Sequence, residues 1–276
     1  MTMPKDLILV RHGQSEGNLV IKVLESQNLI ISEEYYNRHT AHWRLTTQGV
    51  SQAKIAGEWL KDNMDLNFDR YYVSDYVRAK ETAGHLGLPN AEWLINIYLG
   101  ERNWGILDRF NAEQREKEYA LDLLVKKIHP FYWTPPRGES MSQLCLRLQR
   151  VLETLHRECS EKRVIMVCHG EVMWGFRVIL ERMPIDKYLQ LDESTNPFDR
   201  IHTCQIIHYS RKNPQTNEIS PYLSWMRSIC PTDLSLSTNK WQEIIRPKFT
   251  NKQLLKHAEK FPRIIDNEEV ENVRKN

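Results

Sequence analysis

Two histidines and two arginines in this 276-residue chain stand directly behind short apolar runs. LILV (7–10) leads into Arg11, His12 and Gly13; RYYVS (70–74) leads into DYVRAKET, with Arg78; RVIMVC (163–168) leads into His169 and Gly170. Guanidinium forks match the oxygens of a tetrahedral anion, and backbone amides at a helix start add partial positive charge, so these groups brought together would form an anion site. Singly, each has a plainer reading: His12 a turn histidine, Arg78 a helix surface charge, His169 a satisfied core residue. The stretch YLGERNWGILD adds one carboxylate, Glu101, beside Arg102 and ahead of Gly105. A pocket for a dianion has little use for an acid unless the acid moves protons, which makes Glu101 a candidate general acid; the plainer alternative is a solvated Glu101–Arg102 pair.

These residues meet only if the runs are strands of one sheet. Short apolar runs that each lead into polar residues and then a helical pattern fit strands buried on both faces of a mostly parallel sheet, with helices on both faces. Thr47 to Asp62 reads as a helix burying Val50, Ala53, Ala56, Gly57 and Leu60. Ser140 to Glu158 opens with a capping box, Ser140 with Gln143, and carries Leu144, Leu148, Val151, Leu152 and Leu155 as its apolar stripe. In such a sheet the residues just past the strand ends converge in the crevice where α/β proteins bind ligands. Beyond Pro197, CQIIHYS and PYLSWMRS read as a strand pair at the sheet edge, and the edge near 222–228 could pair with another subunit. A helix is expected from Asn251 to Lys260. The reading is one domain over 1–262, with an insertion at about 21–44 and an extension after about 197, followed by a charged tail at 263–276.

Charge and cysteine usage narrow the partners. With 38 basic against 36 acidic side chains the formal net charge is +2. No global field draws the chain to nucleic acid or to an anionic membrane, so any anion binding is local. Five scattered cysteines without CxxC or zinc spacing read as reduced and structural, and no run is long enough for a signal core or a membrane span. A cytoplasmic protein is expected.

VRHGQSEGN, SDYVRAKET, LGERNWG, RGESMSQ and MVCHGE, in that order over about residues 5–210, resemble the histidine phosphatase superfamily, the group that includes cofactor-dependent phosphoglycerate mutase. The resemblance implies that His12 attacks phosphorus and becomes a phosphohistidine. It implies that Arg11, Arg78 and His169 hold the phosphoryl oxygens, with Asn18 and the Gly170 amide as further donors. Glu101 would protonate the leaving oxygen and then activate water. It further implies no metal and no cofactor, because fixed side chains supply the positive charge.

Phosphatase and mutase share this machinery. Mutases of the family carry a Leu-Asn-Lys segment after the acid and a later arginine pair; here the chain reads ILDRFNAEQREKEY, basic at Arg109, Arg115 and Lys117 but in another pattern. Hydrolysis of a phosphorylated small molecule or phosphoprotein is therefore expected. A mutase-type phosphoryl transferase and a non-catalytic phospho-ligand binding module are the alternatives. The long segment between Asn18 and Leu45 is expected to cap the site. Trp43 and Trp104 are candidate substrate contacts. His39 and His42 lack a third metal ligand and read as surface or cleft-wall residues, and Glu139 with Arg147 reads as a structural ion pair.

Overall fold

In the computed structural model, which describes residues 1–26, 32–238 and 240–267, the LILV run lies inside a strand apolar on both sides. Side chains alternate across a strand. Leu7 and Leu9 join one core with Val164 and Met166, whereas Ile8 and Val10 join a second with Ile165 and Val167. Each such side chain contributes roughly 1.5–3 kcal/mol by leaving water.

The N-terminal half runs β1 (Asp6–Arg11), α1 (Glu16–Ser26), α2 (Glu33–Asn37), α3 (Thr47–Asn63), β2 (Arg70–Ser74), α4 (Val77–His85), β3 (Trp93–Asn96), α5 (Ala112–Glu118) and α6 (Ala120–Ile128). Then follow α7 (Met141–Glu158), β4 (Arg163–Cys168), α8 (Gly170–Glu181), α9 (Ile185–Asp192), β5 (Ile206–Ser210), β6 (Trp225–Ile229), β7 (Gln242–Glu243) and α10 (Asn251–Ala258). The seven-stranded sheet has the order β3-β2-β4-β1-β5-β6-β7. Its first four strands form the parallel block, and β5, β6 and β7 extend it antiparallel. Helices α7 and α8 cover one face and α3 and α4 the other.

Helix α7 matches its sequence pattern: Ser140 and Gln143 close the capping box, and Leu144, Leu148, Val151, Leu152 and Leu155 are buried with Met141. In α3 the buried stripe is Gly49, Ala53, Ala56, Gly57 and Leu60, so Val50 is only half-buried. A glycine took its place because the backbone around Gln14 lies against the helix: a Cβ on Gly49 would stand 2.0 Å from the Gln14 carbonyl oxygen.

The strand pair after Pro197 is placed differently from its sequence reading. β5 lies inside the sheet, between β1 and β6. β6 is not a bare edge either, because the chain after it folds back: Thr238 and Ser228 bond to each other, and β7 pairs with Trp225 and Met226. Residues 1–245 form one compact unit and 246–276 a second. α10, in the second unit, has a Thr250–Gln253 capping box and buries no residue. The domain boundary expected after 262 thus falls inside that second unit, and most of the expected tail, 268–276, lies outside the described residues. Of the segment at 21–44, residues 27–31 also lie outside them, while α2 and a single turn at Thr40–His42 give the rest local helical structure.

Candidate active site

Strand register brings the four basic residues together. Arg11 is paired with Cys168 across β1 and β4, and Val73 with Val167 across β2 and β4. The next residues, His12, His169 and Ser74, therefore emerge at one edge of the parallel block, where α4 and α8 also begin. Gly13 is required there: a Cβ on it would lie 2.4 Å from the Gly49 carbonyl oxygen at the start of α3. Only bare backbone lets α3 press against the turn carrying His12.

His12 is 2% exposed and its tautomer follows from its partners. The Gly13 carbonyl, 2.7 Å from Nδ1, can only accept, so the ring proton sits on Nδ1. Nε2 keeps its lone pair and accepts from Arg78 Nε at 3.1 Å. Burial, then the charges of Arg78 and Arg11, hold the imidazole pKa well below its ordinary value. A neutral ring with a free pair on a known nitrogen is what nucleophilic attack needs.

Arg78, 5% exposed, donates from its other arm to the Thr40 carbonyl at 2.7 Å, and its guanidinium stands 4.7 Å from the centre of the Tyr76 ring. Arg11 donates to the Ile201 carbonyl, while its buried Nε has no partner. His169 is fully buried edge-on to His12, ring centres 5.0 Å apart; Nε2 meets Ser74 Oγ at 2.8 Å and Nδ1 has no partner. These unfilled donor and acceptor positions sit around one nitrogen lone pair, in a place that water reaches poorly.

The pocket in front of His12 has a volume of about 150 Å³ and is lined among others by Arg11, Asn18, Trp43, Arg78, Glu101 and Trp104. Asn18 accepts from the amide and hydroxyl of Ser15 at 3.1 and 3.0 Å, which leaves its NH2 group as the free donor. Gly170, at the start of α8, packs against the Arg11 side chain, with Arg11 Nε 3.3 Å from where a Cβ would stand. Glu101 accepts from the Arg102 amide at 3.0 Å. Burial raises its pKa, against the charges of Arg78 and Arg11 and the Arg102 amide. Ligand atoms of His12, Glu101 and His169 lie within 4.8 Å of one another, the geometry of a metal trio, yet a divalent ion would enter against the charges of Arg11 and Arg78.

Three pocket residues, Arg102, Asp108 and Glu171, were given no role at the site in the sequence. Arg102, 6% exposed, is not a solvated partner of Glu101: its guanidinium pairs with Glu171 at 2.9 Å, and Trp104 Nε1 donates to the other Glu171 oxygen at 2.8 Å. Glu171 directly follows the His169-Gly170 turn, so its position in the first turn of α8 was the available signal. Asp108 makes no ion pair among the described residues, and burial pushes its pKa up to about 6. With Thr40 and Trp43 it also lines an adjoining chamber of about 280 Å³ containing Arg38, His39 and Arg137. Arg38 is paired with Glu34 and Glu16; Arg137, in a left-handed conformation at φ 61°, is exposed and makes no ion pair among the described residues. His39 and His42 stand with ring centres 6.1 Å apart, and His39 Nδ1 accepts from the Ala41 amide.

Away from the pocket, Glu139 and Arg147 form the expected pair through two bonds of 2.9 and 2.8 Å, and Arg147 also reaches the Gly100 carbonyl at 3.0 Å, next to Glu101. The five cysteines are free. No helix among the described residues is long and apolar enough to cross a membrane.

A buried histidine pair at the edge of a parallel block, beside the guanidiniums of Arg11 and Arg78, is an anion-type site on an α/β fold. The family model of the histidine phosphatase superfamily (branch 1) matches residues 7–202, and the chain belongs to that superfamily. The 2,3-bisphosphoglycerate-dependent phosphoglycerate mutase of Bradyrhizobium diazoefficiens is 31% identical over 201 residues, which cover 68% of this chain and 87% of that protein. The mutase of Parvibaculum lavamentivorans is 30% identical over 205 residues, 70% of this chain and 88% of its own. Among solved structures, the alpha-ribazole phosphatase of Shigella flexneri superposes with a TM-score of 0.59 at 19% identity, covering 79% of this chain and 96% of that one. A mycobacterial glucosyl-3-phosphoglycerate phosphatase gives 0.56 at 18% identity, covering 74% and 89%. At such identities the superpositions establish the α/β fold. The superfamily relatives include both mutases and phosphatases.

Proposed function

We propose that the protein is a phosphomonoesterase that works through a phosphohistidine on His12 without a metal ion. The His12 Nε2 pair attacks phosphorus, the bond from phosphorus to the leaving oxygen breaks, and that oxygen takes a proton from Glu101. Water then attacks phosphorus, gives its proton to Glu101, and the phosphorus–nitrogen bonding pair returns to Nε2. Arg11 and Arg78, with Nδ1 of His169 and the NH2 of Asn18, stabilise the charge on the transferring oxygens. The observation that carries the mechanism is the neutral, Nδ1-protonated His12 whose lone pair meets the Arg78 guanidinium.

Hydrolysis is favoured over phosphoglycerate isomerisation by the sign of charge at the leaving-group end. Asp108, which makes no ion pair among the described residues, stands there, and Glu171 offsets the charge of Arg102, whose second terminal nitrogen keeps no partner among them, so a substrate carboxylate would meet repulsion from two acids. The mutase reading draws on the mutase relatives and on Arg137 of the adjoining chamber. One experiment separates the two. Purified protein in chelator is given p-nitrophenyl phosphate, glycerol phosphate and 3-phosphoglycerate with 2,3-bisphosphoglycerate, beside a His12→Ala control. Phosphate release with an acid-labile phosphoenzyme supports hydrolysis; interconversion of phosphoglycerates faster than phosphate release overturns it in favour of the mutase. Binding of phosphopeptides without either reaction would favour a non-catalytic module.

A further inference from the structure

Glu171 is a second carboxylate in a pocket where one suffices for proton transfer, and its surroundings are specific. Arg102 touches both acids: its amide donates to Glu101 at 3.0 Å and its guanidinium to Glu171 at 2.9 Å, while Trp104 supplies Glu171 with a further donor at 2.8 Å. Glu171 thus has two side-chain donors suited to an anion, whereas Glu101 has a single backbone donor on one oxygen. Glu101, faced by the charges of Arg78, Arg11 and Arg147, and Glu171, paired with Arg102, line one pocket, so the charge on either acid disfavours ionisation of the other. We propose that Glu101 and Glu171 share a single proton across Arg102, Glu171 being kept as the anion so that Glu101 remains the acid that protonates the leaving oxygen.

The inference rests on the reading of Glu101 as general acid. In the cycle only the Glu101 proton moves, to the leaving oxygen and back from water, while Glu171 stays charged. The groups whose fields meet at Glu171 are Glu101, Arg102, Trp104 and Asp108 on the chain after β3, with Arg11 from β1, Lys126 from α6 and Tyr188 from α9. Burial and then the Glu101 charge push the Glu171 pKa up, the direction expected when two acids of one pocket act on each other; the donors around each, two side chains for Glu171 and one amide for Glu101, assign the anion to Glu171.

The test is the pH dependence of kcat/KM for glycerol phosphate, whose alkoxide must be protonated, against p-nitrophenyl phosphate, whose phenolate leaves unaided. E171Q removes the like charge, so Glu101 ionises more readily: the alkaline limb for glycerol phosphate moves down by about one pH unit, and the glycerol-to-aryl rate ratio at pH 7 falls about tenfold. E171D, which keeps the charge, restores the limb. R102Q takes from Glu171 the donor that keeps it an anion, so the shared proton passes to Glu171 and the glycerol-to-aryl ratio at pH 7 falls as in E171Q. An unmoved limb in E171Q, with the ratio unchanged, overturns the proposal and leaves Glu171 a structural clamp for Trp104. NMR of protein labelled at the glutamate carboxyl carbon, with E101Q for assignment, reads the pair without turnover. There Glu101 titrates at lower pH in E171Q than in the parent chain; identical titrations overturn the proposal even if the variant is inactive. If the parent hydrolyses neither ester yet the titrations are linked, the phosphatase reading fails and the shared proton stands.

Discussion

At the floor of the pocket, His12 and Arg11 leave the end of β1, Arg78 starts α4 and His169 caps α8, and all but half-buried Arg11 are at most 5% exposed. At its mouth, Trp43, Asp108 and Arg137 sit on turns between elements. The floor is cationic and anchored to strand ends; the mouth mixes indoles, a carboxylate and a guanidinium. Rigid strand ends keep side chains in register, whereas turns exchange them at little cost to the core, so in the proposed mechanism the floor carries the phosphoryl chemistry and the mouth the choice of ester.

Substitutions at the two ends should differ in kind. His12→Ala removes the nucleophile, and turnover of every ester is expected to fall by at least about 10⁴-fold, with no trapped phosphoenzyme by mass spectrometry. Arg78→Ala is expected to lower kcat/KM for all esters by about 10²–10³-fold. It also removes a charge that depresses the His12 pKa, so that pKa rises. The ring then takes up its proton at a higher pH than in the parent, and the acid limb of the pH profile moves upward; an unmoved limb would break the link between Arg78 and His12.

At the mouth, Asp108→Asn is expected to change p-nitrophenyl phosphate turnover only severalfold, while raising the preference for 3-phosphoglycerate over glycerol phosphate about tenfold, as judged by kcat/KM. A uniform loss across esters would instead place Asp108 with the floor. Arg147→Ala, outside both regions, removes two hydrogen bonds to Glu139 and the one to the Gly100 carbonyl. A stability loss of about 1–3 kcal/mol by urea titration is expected, with the smallest effect on ester preference.

The floor was largely legible in the sequence because each of its residues sits one to four positions from a strand end, and apolar runs mark strand ends well. His12, His169 and Arg78 could be placed from that alone, and the capping box fixed the start of α7. The mouth was legible only in part. Trp43 and Trp104 were suspected as neighbours of site segments, but the burial of Arg102 and its bond to Glu171 join residues 69 positions apart. Nothing in a Glu-Arg doublet reveals which carboxylate the arginine will meet. Gly49 replaced Val50 on the buried face of α3 for a similar reason: helical periodicity shows which side faces inward, but not that another segment of backbone presses against it.

What the chain encodes locally is its alternating apolar strands, its capped helices and the basic residues immediately beyond them, since these depend on neighbours within a few positions. Which carboxylate each guanidinium meets and which side chains line the pocket in front of His12 were decided by the packing of strand ends, turns and helix starts. Electrostatics in a buried pocket depends on distances across the fold, and those distances exist only once the sheet has formed.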